Sequence, residues 1–184
     1  MQSTYSVCVY CGSRSGNAPA YTQAARDVGA LIAAQGWRLV YGAGDIGLMG
    51  EVAKAAQTAG AEALGVIPHH LTGREPPRAG LTTLIVTETM HERKKVMFMN
   101  SHATVVMPGG AGTMDEFFEM LTWRQIGLHS KPVFLLNING YWDPLVKMID
   151  HVVDEGFAEA DLRDYTTVVP DVPTLERLLR TSLS

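Results

Sequence analysis

Cysteine is scarce in this 184-residue chain: Cys8 and Cys11 are the only two, in a C-x-x-C spacing. A redox pair of that spacing normally opens a helix, whereas these lie along and at the end of a β-rich run. No second C-x-x-C and no histidine cluster completes a zinc site. The expectation is a buried Cys8 and a loop thiol at Cys11. Positive charge is not in excess either. Lys and Arg number 15 against 19 Asp and Glu, and the net charge of −4 offers no footing for nucleic acid. No apolar run is long enough to span a membrane. The opening Met1-Gln2-Ser3-Thr4-Tyr5-Ser6 lacks the basic segment and apolar stretch of a signal peptide, so the expected location is the cytoplasm. Linkers, repeats and low-complexity segments are missing. So are a Walker loop and the Rossmann dinucleotide spacing, which argues against a nicotinamide cofactor.

What is present reads as globular: 46% of residues are hydrophobic and 18% charged. The length suits one domain, residues 1–184, with a sizeable core. Strand-like and helix-like segments alternate throughout. Strands are expected at 5–10, 37–41, 61–67, 81–86, 103–107, 132–136 and 167–169. Helices are expected at 20–35, 48–59, 88–100, 113–126, 142–154 and 173–183. Near-continuous apolar strands alternating with helices predict an α/β fold, a doubly wound parallel sheet in a Rossmann-like three-layer arrangement. Residues 73–80, with Pro76-Pro77, read as a mobile loop.

Ligands in such sheets bind beyond the carboxyl ends of the strands. Three glycine loops follow three strands and so point to one edge: Cys11-Gly12-Ser13-Arg14-Ser15-Gly16, Tyr41-Gly42-Ala43-Gly44 and Pro108-Gly109-Gly110-Ala111-Gly112-Thr113. In the third, a helix expected to open at Thr113 offers unpaired N–H groups and its positive dipole end to a phosphate. Glu116 then lies about one turn away. Thr113 and Glu116 also fit a capping box, which would make both structural. Met90, Arg93, Lys94 and Met97 share one helical face, so Arg93 and Lys94 would point inward, toward a phosphate or Glu116. A solvated basic run through Lys95 is the competing reading. His91, His102, His129 and the pair His69-His70 are weaker candidates, and Trp123 is expected in the core.

These residues closely resemble the LOG ("Lonely Guy") family, phosphoribohydrolases that activate cytokinins and were long labelled lysine decarboxylases. The likeness rests on the paired signatures from Pro108 to Glu116 and from Met90 to Lys94. Supporting segments run from Val9 to Ser13, Tyr41 to Gly44, Gly47 to Gly50, Gly65 to Pro68, Thr122 to His129, Lys131 to Pro132 and Leu136 to Tyr141. They cover most of the chain in order. The resemblance implies hydrolysis of the N-glycosidic bond of N6-substituted adenosine 5′-monophosphates, and often of AMP, to free base and ribose 5-phosphate. It implies Arg93 and Glu116 as the catalytic pair. Gly109, Gly110, Ala111, Gly112 and Thr113 fall on the phosphate loop, and Glu75, Lys94 and Thr122 match substrate contacts. Gly12, Ser13, Gly42, Gly44 and Met49 are further candidates for substrate contact. A homodimer with sites near the subunit interface is implied, with no metal and no cofactor; no lysine stands out as a Schiff-base site for pyridoxal phosphate. The chain departs from the family at Ala43, where a third glycine is common, at Ala111, where Tyr is common, and at His102, where Asp is common. A non-catalytic nucleotide or cofactor carrier and a general AMP nucleosidase of purine salvage are the competing functions.

Overall fold

The computed structural model describes residues 5–73 and 77–184. Seven strands form one sheet: β1 (Ser6–Tyr10), β2 (Arg38–Tyr41), β3 (Ala63–Pro68), β4 (Thr83–Thr87), β5 (Ala103–Val106), β6 (Val133–Leu136) and β7 (Thr167–Val169). All its pairings are parallel, in the order β4-β3-β2-β1-β5-β6-β7. The helices are α1 (Pro19–Ala34), α2 (Gly47–Thr58), α3 (Met90–Met99), α4 (Ala111–Gln125), α5 (Asp143–Asp154) and α6 (Val172–Ser182). Every expected strand and helix is present. Three short 3₁₀ turns, at His69–Leu71, Ile138–Gly140 and Ala160–Tyr165, were not expected. One or two turns carry too few residues to show a helical period.

Alternation along the strands builds the two cores. Val7 and Val9 of β1 pack beneath α1, α2 and α6, while Cys8 and Tyr10 face the side covered by α3, α4 and α5. The result is the three-layer, doubly wound α/β architecture. The edge strand β4 departs from the buried pattern, with Leu84 and Val86 exposed, because it has a neighbour on one side only.

Cys8 is buried in β1 and Cys11 lies in the loop just after it, as expected; Cys11 is buried as well, and burial pushes both thiols up, so they stay protonated and unreactive. Two expectations are corrected, the start of α4 and the capping box. Helix α4 opens at Ala111 with Gly110 as its N-cap, not at Thr113. Thr113 is therefore inside the first turn and Glu116 in the second, so they form no capping box. The box in this chain is Thr89 with Glu92, at the start of α3. Of the segment read as a mobile loop, residues 74–76 lie outside the described residues, and its far end contacts the second glycine loop. Arg78 donates its N–H to the Ala43 carbonyl and its guanidinium to Asp45 and Gln57, and Pro77 bridges to Gly44. No helix among the described residues is long and apolar enough to cross a membrane.

Candidate active site

The winding changes direction at β1, which pairs with β2 on one side and β5 on the other. The loops leaving β1 and β5 therefore diverge and open a crevice at the carboxyl edge of the sheet. A cavity of about 520 Å³ fills it, a size suited to a small molecule. Gly12 ties its walls together. It donates its N–H to the Pro108 carbonyl at 3.0 Å, and its own carbonyl accepts from Leu48 N–H at 3.0 Å. A Cβ at Gly12 would stand 3.3 Å from Gly109 Cα, so the two loops touch backbone to backbone.

The first turn of α4 faces this cavity. Gly110 has no side chain to cap the helix, so its first N–H groups lack the side-chain partner that Thr89 gives α3 and Asp171 gives α6. At α2 the comparable donors are taken by the Gly12 carbonyl. A Cβ at Gly110 or at Gly112 meets no atom within 4 Å, so packing does not require glycine at either place. The loop thus presents a bare backbone with unfilled donors, the arrangement that receives an anion.

Behind the cradle sits Glu116, 8% exposed. Burial pushes its carboxyl up to about 7, with the nearby Arg93 pulling the other way. Arg93 is not part of a solvated face. It is 7% exposed and donates Nε to Val66 O at 3.0 Å and Nη2 to Gly42 O at 3.1 Å. Its Nη1 stands 3.8 Å from Glu116 Oε1. Glycine is required at position 42, because a Cβ there would come within 1.9 Å of Arg93 Nη2. The pair is thus a buried cation locked by two carbonyls beside a carboxylate poised to exchange a proton near neutrality.

Of the residues singled out in the sequence, Gly12, Ser13, Gly42, Met49, Arg93, Gly109, Gly110, Ala111, Gly112, Thr113 and Glu116 line the cavity. Gly44, Lys94 and Thr122 do not. Lys94 is buried beside it, paired with Asp115 at 2.9 Å and Glu119 at 3.1 Å. Thr122 is exposed on α4, roughly 16 Å along the axis from Ala111 at 1.5 Å per residue. Glu75 lies outside the described residues. The histidines serve the scaffold or solvent: His102 accepts from Ser6 N–H at 3.0 Å, His129 bonds Met120 O at 2.9 Å, and His69, His70 and His91 are exposed. Trp123 packs edge-on against Phe98. Sequence reasoning missed Arg14, Tyr21 and Tyr141, which also line the cavity. Arg14 lies within a loop already marked by glycines, which was an available signal. Tyr141 follows a turn after β6, a fourth loop at the same edge, and donates its hydroxyl to the Gly109 carbonyl. Tyr21 lies in a helix and carried no signal.

Fold and site together define a three-layer α/β protein whose cavity sets a bare helix N-terminus against an ionisable buried carboxylate. Residues 49–179 match the family described as "Possible lysine decarboxylase". The chain is 43% identical over 174 residues to the probable cytokinin riboside 5′-monophosphate phosphoribohydrolase LOGL1 of Oryza sativa subsp. japonica, covering 95% of this chain and 77% of that protein. It is 41% identical over 173 residues to the cytokinin riboside 5′-monophosphate phosphoribohydrolase LOG2 of Arabidopsis thaliana, covering 94% and 81%. The chain belongs to this family, the LOG family. Among solved structures, the molybdenum cofactor carrier protein of Chlamydomonas reinhardtii is similar at 25% identity and a TM-score of 0.75, over 97% of this chain and 98% of the other. The molybdenum cofactor binding protein of Rippkaea orientalis, at 21% identity and a TM-score of 0.76 over the whole of both chains, shares the fold.

Proposed function

We propose that this protein, acting as one domain, hydrolyses the N-glycosidic bond of adenosine 5′-monophosphates, N6-substituted cytokinin nucleotides and AMP among them. The products are the free base and ribose 5-phosphate. The observation that carries this reading is the Arg93–Glu116 pair, 3.8 Å apart on the wall of a cavity that also holds an uncapped helix N-terminus. The kinship with relatives named as phosphoribohydrolases supplies the reaction.

Breaking the bond between ribose C1′ and the base nitrogen builds positive charge on the sugar. The N–H groups of residues 110–113 hold the phosphate and so fix the ribose against Glu116. In its ionised form Glu116 stabilises the oxocarbenium-like state and takes a proton from the attacking water. The water oxygen bonds C1′ as the C1′–N bond breaks, and one water hydrogen stays on the new hydroxyl. The proton taken up by Glu116 passes to the departing base nitrogen, which restores the carboxylate. Arg93 favours the ionised form of Glu116 against the burial that raises it. A decarboxylation through a lysine Schiff base finds no support here, since no lysine lines the cavity among the described residues. Lys94 and Lys131 are held by carboxylates and by backbone carbonyls respectively.

The working unit in this reading is a homodimer. Met114 and Phe118 on α4 and Ile126 at its C-cap leave an exposed apolar stripe, with Thr122 in its line, which suits a partner subunit. A cytoplasmic setting goes with a nucleotide substrate and two free cysteines. The test is product analysis by chromatography after separate incubation with AMP and N6-isopentenyl-AMP. Release of free base with ribose 5-phosphate is expected, and the ratio of rates separates cytokinin activation from general salvage. Intact nucleotides would sink the hydrolase reading in favour of a carrier.

A further inference from the structure

The cavity holds a second cation that the reading above leaves without a task. Arg14 lines it, is exposed, and has no ion pair among the described residues. Its backbone is fixed in the same frame as the glycine cradle. A Cβ at Gly12 would stand 3.1 Å from Arg14 O and 3.3 Å from Gly109 Cα, and a Cβ at Gly47 would collide with Arg14 N at 2.4 Å. The loop carrying Arg14 is therefore wedged between the cradle and the start of α2.

Arg93, the other cation lining the cavity, is already committed. Its Nε and Nη2 serve two buried carbonyls and its Nη1 faces Glu116. Swinging it toward a phosphate would strand both carbonyls without a donor. The N-terminus of α4 supplies only about half an elementary charge, against roughly two on a phosphate monoester. Charge balance therefore calls for a mobile guanidinium beside the cradle, and guanidinium suits phosphate by its forked geometry.

The geometry points to Arg14 as the side chain that binds the substrate's phosphate from the side opposite α4, leaving Arg93 to serve Glu116. This rests on the hydrolase reading of the cavity. The ligand class is a phosphate monoester on ribose, so nucleoside 5′-monophosphates and ribose 5-phosphate gain from Arg14 and an uncharged nucleoside does not. The charge on that phosphate does not change as the glycosidic bond breaks. Arg14 therefore binds ground state and transition state alike, and its loss acts on KM rather than kcat.

The test compares Arg14→Ala and Arg14→Lys with wild type, using AMP kinetics and calorimetric binding of ribose 5-phosphate. Arg14→Ala should raise KM for AMP and Kd for ribose 5-phosphate together, by about tenfold to a hundredfold, the loss of one charge-assisted contact. The kcat should stay within about threefold of wild type, and lysine should recover part of the affinity. An unchanged Kd and KM, or a fall in kcat at constant KM, would overturn the assignment. Wild-type protein that binds ribose 5-phosphate but leaves nucleotides intact would remove the hydrolase reading, while the Kd comparison still decides on Arg14. Wild-type protein that binds neither removes both.

Discussion

Replacing Glu116 by glutamine should make this protein more stable and nearly inactive, and the gain should depend on pH. The carboxyl is buried, and its pKa rises from 4.5 to about 7, chiefly through desolvation and against the pull of Arg93. Below pH 4.5 the group is protonated in both folded and unfolded chains. Between pH 4.5 and 7 the unfolded chain has lost this proton and the folded chain keeps it, so stability falls as pH rises through that window. At 1.36 kcal/mol per unit the full loss comes to about 3 kcal/mol above pH 8. Glutamine has nearly the same shape and does not titrate. The two proteins should therefore unfold alike near pH 4.5, while at pH 8 the variant leads by up to about 3 kcal/mol. For a chain of this size that is roughly 6–12 °C in Tm. Turnover should fall about 10²- to 10⁴-fold, the usual yield of a positioned base. Wild-type kcat/KM should itself rise with pH through an apparent pKa near 7, since the ionised form is the working one. Thermal melts at both pH values, run beside AMP turnover, decide the matter. A variant less stable than wild type at both pH values would make Glu116 a structural partner of Arg93 and refute the reasoning. Unchanged turnover would remove it from the mechanism.

Arg93→Ala strands the carbonyls of Val66 and Gly42 and should cost about 2–4 kcal/mol of stability by urea denaturation. It should also shift the pH–activity limb above 7, because the cation that holds Glu116 down is gone; an unmoved limb would break that link. Gly112→Ala places a methyl in open space inside the first turn of α4, so the helix should gain about 0.5–1 kcal/mol. The same methyl should raise KM for AMP about tenfold by crowding one phosphate contact, and an unchanged KM would move the phosphate elsewhere. Ala43 sits at φ 63 with its side chain buried, a left-handed conformation that costs a non-glycine residue about 1–2 kcal/mol. Ala43→Gly should therefore raise stability by roughly 0.5–1 kcal/mol after glycine's entropic cost, and a lower Tm would contradict the strain.

The site was legible in the sequence where its signals are local. The glycines of residues 109–112 stand out beside any strand, and the spacing of Met90, Arg93, Lys94 and Met97 places both cations on one face before any neighbour is known. That spacing could not tell a lysine paired away from the cavity from an arginine that lines it. Lys94 turns to Asp115 and Glu119 on α4, whereas Arg93 reaches across 27 residues to Val66 and 51 to Gly42. Ala43 was visible as a departure from the family, but its positive φ was not, since a dihedral angle leaves no mark on a residue's name.

The sequence by itself determined the order of strands and helices, the parallel sheet and the edge that carries the cavity. Periodicity of apolar residues is set by backbone geometry and needs no knowledge of partners. Tertiary structure alone decided the start of α4 at Ala111, the distance of Thr122 from the cavity, the burial of Cys11 and the proton affinity of Glu116. Each depends on atoms from distant segments: Gly12 meets Pro108 only after β1 and β5 pair, and desolvation of Glu116 exists only once α3 and α4 close over the sheet. Patterning acts along the chain, whereas dielectric environment and donor pairing are properties of packed space.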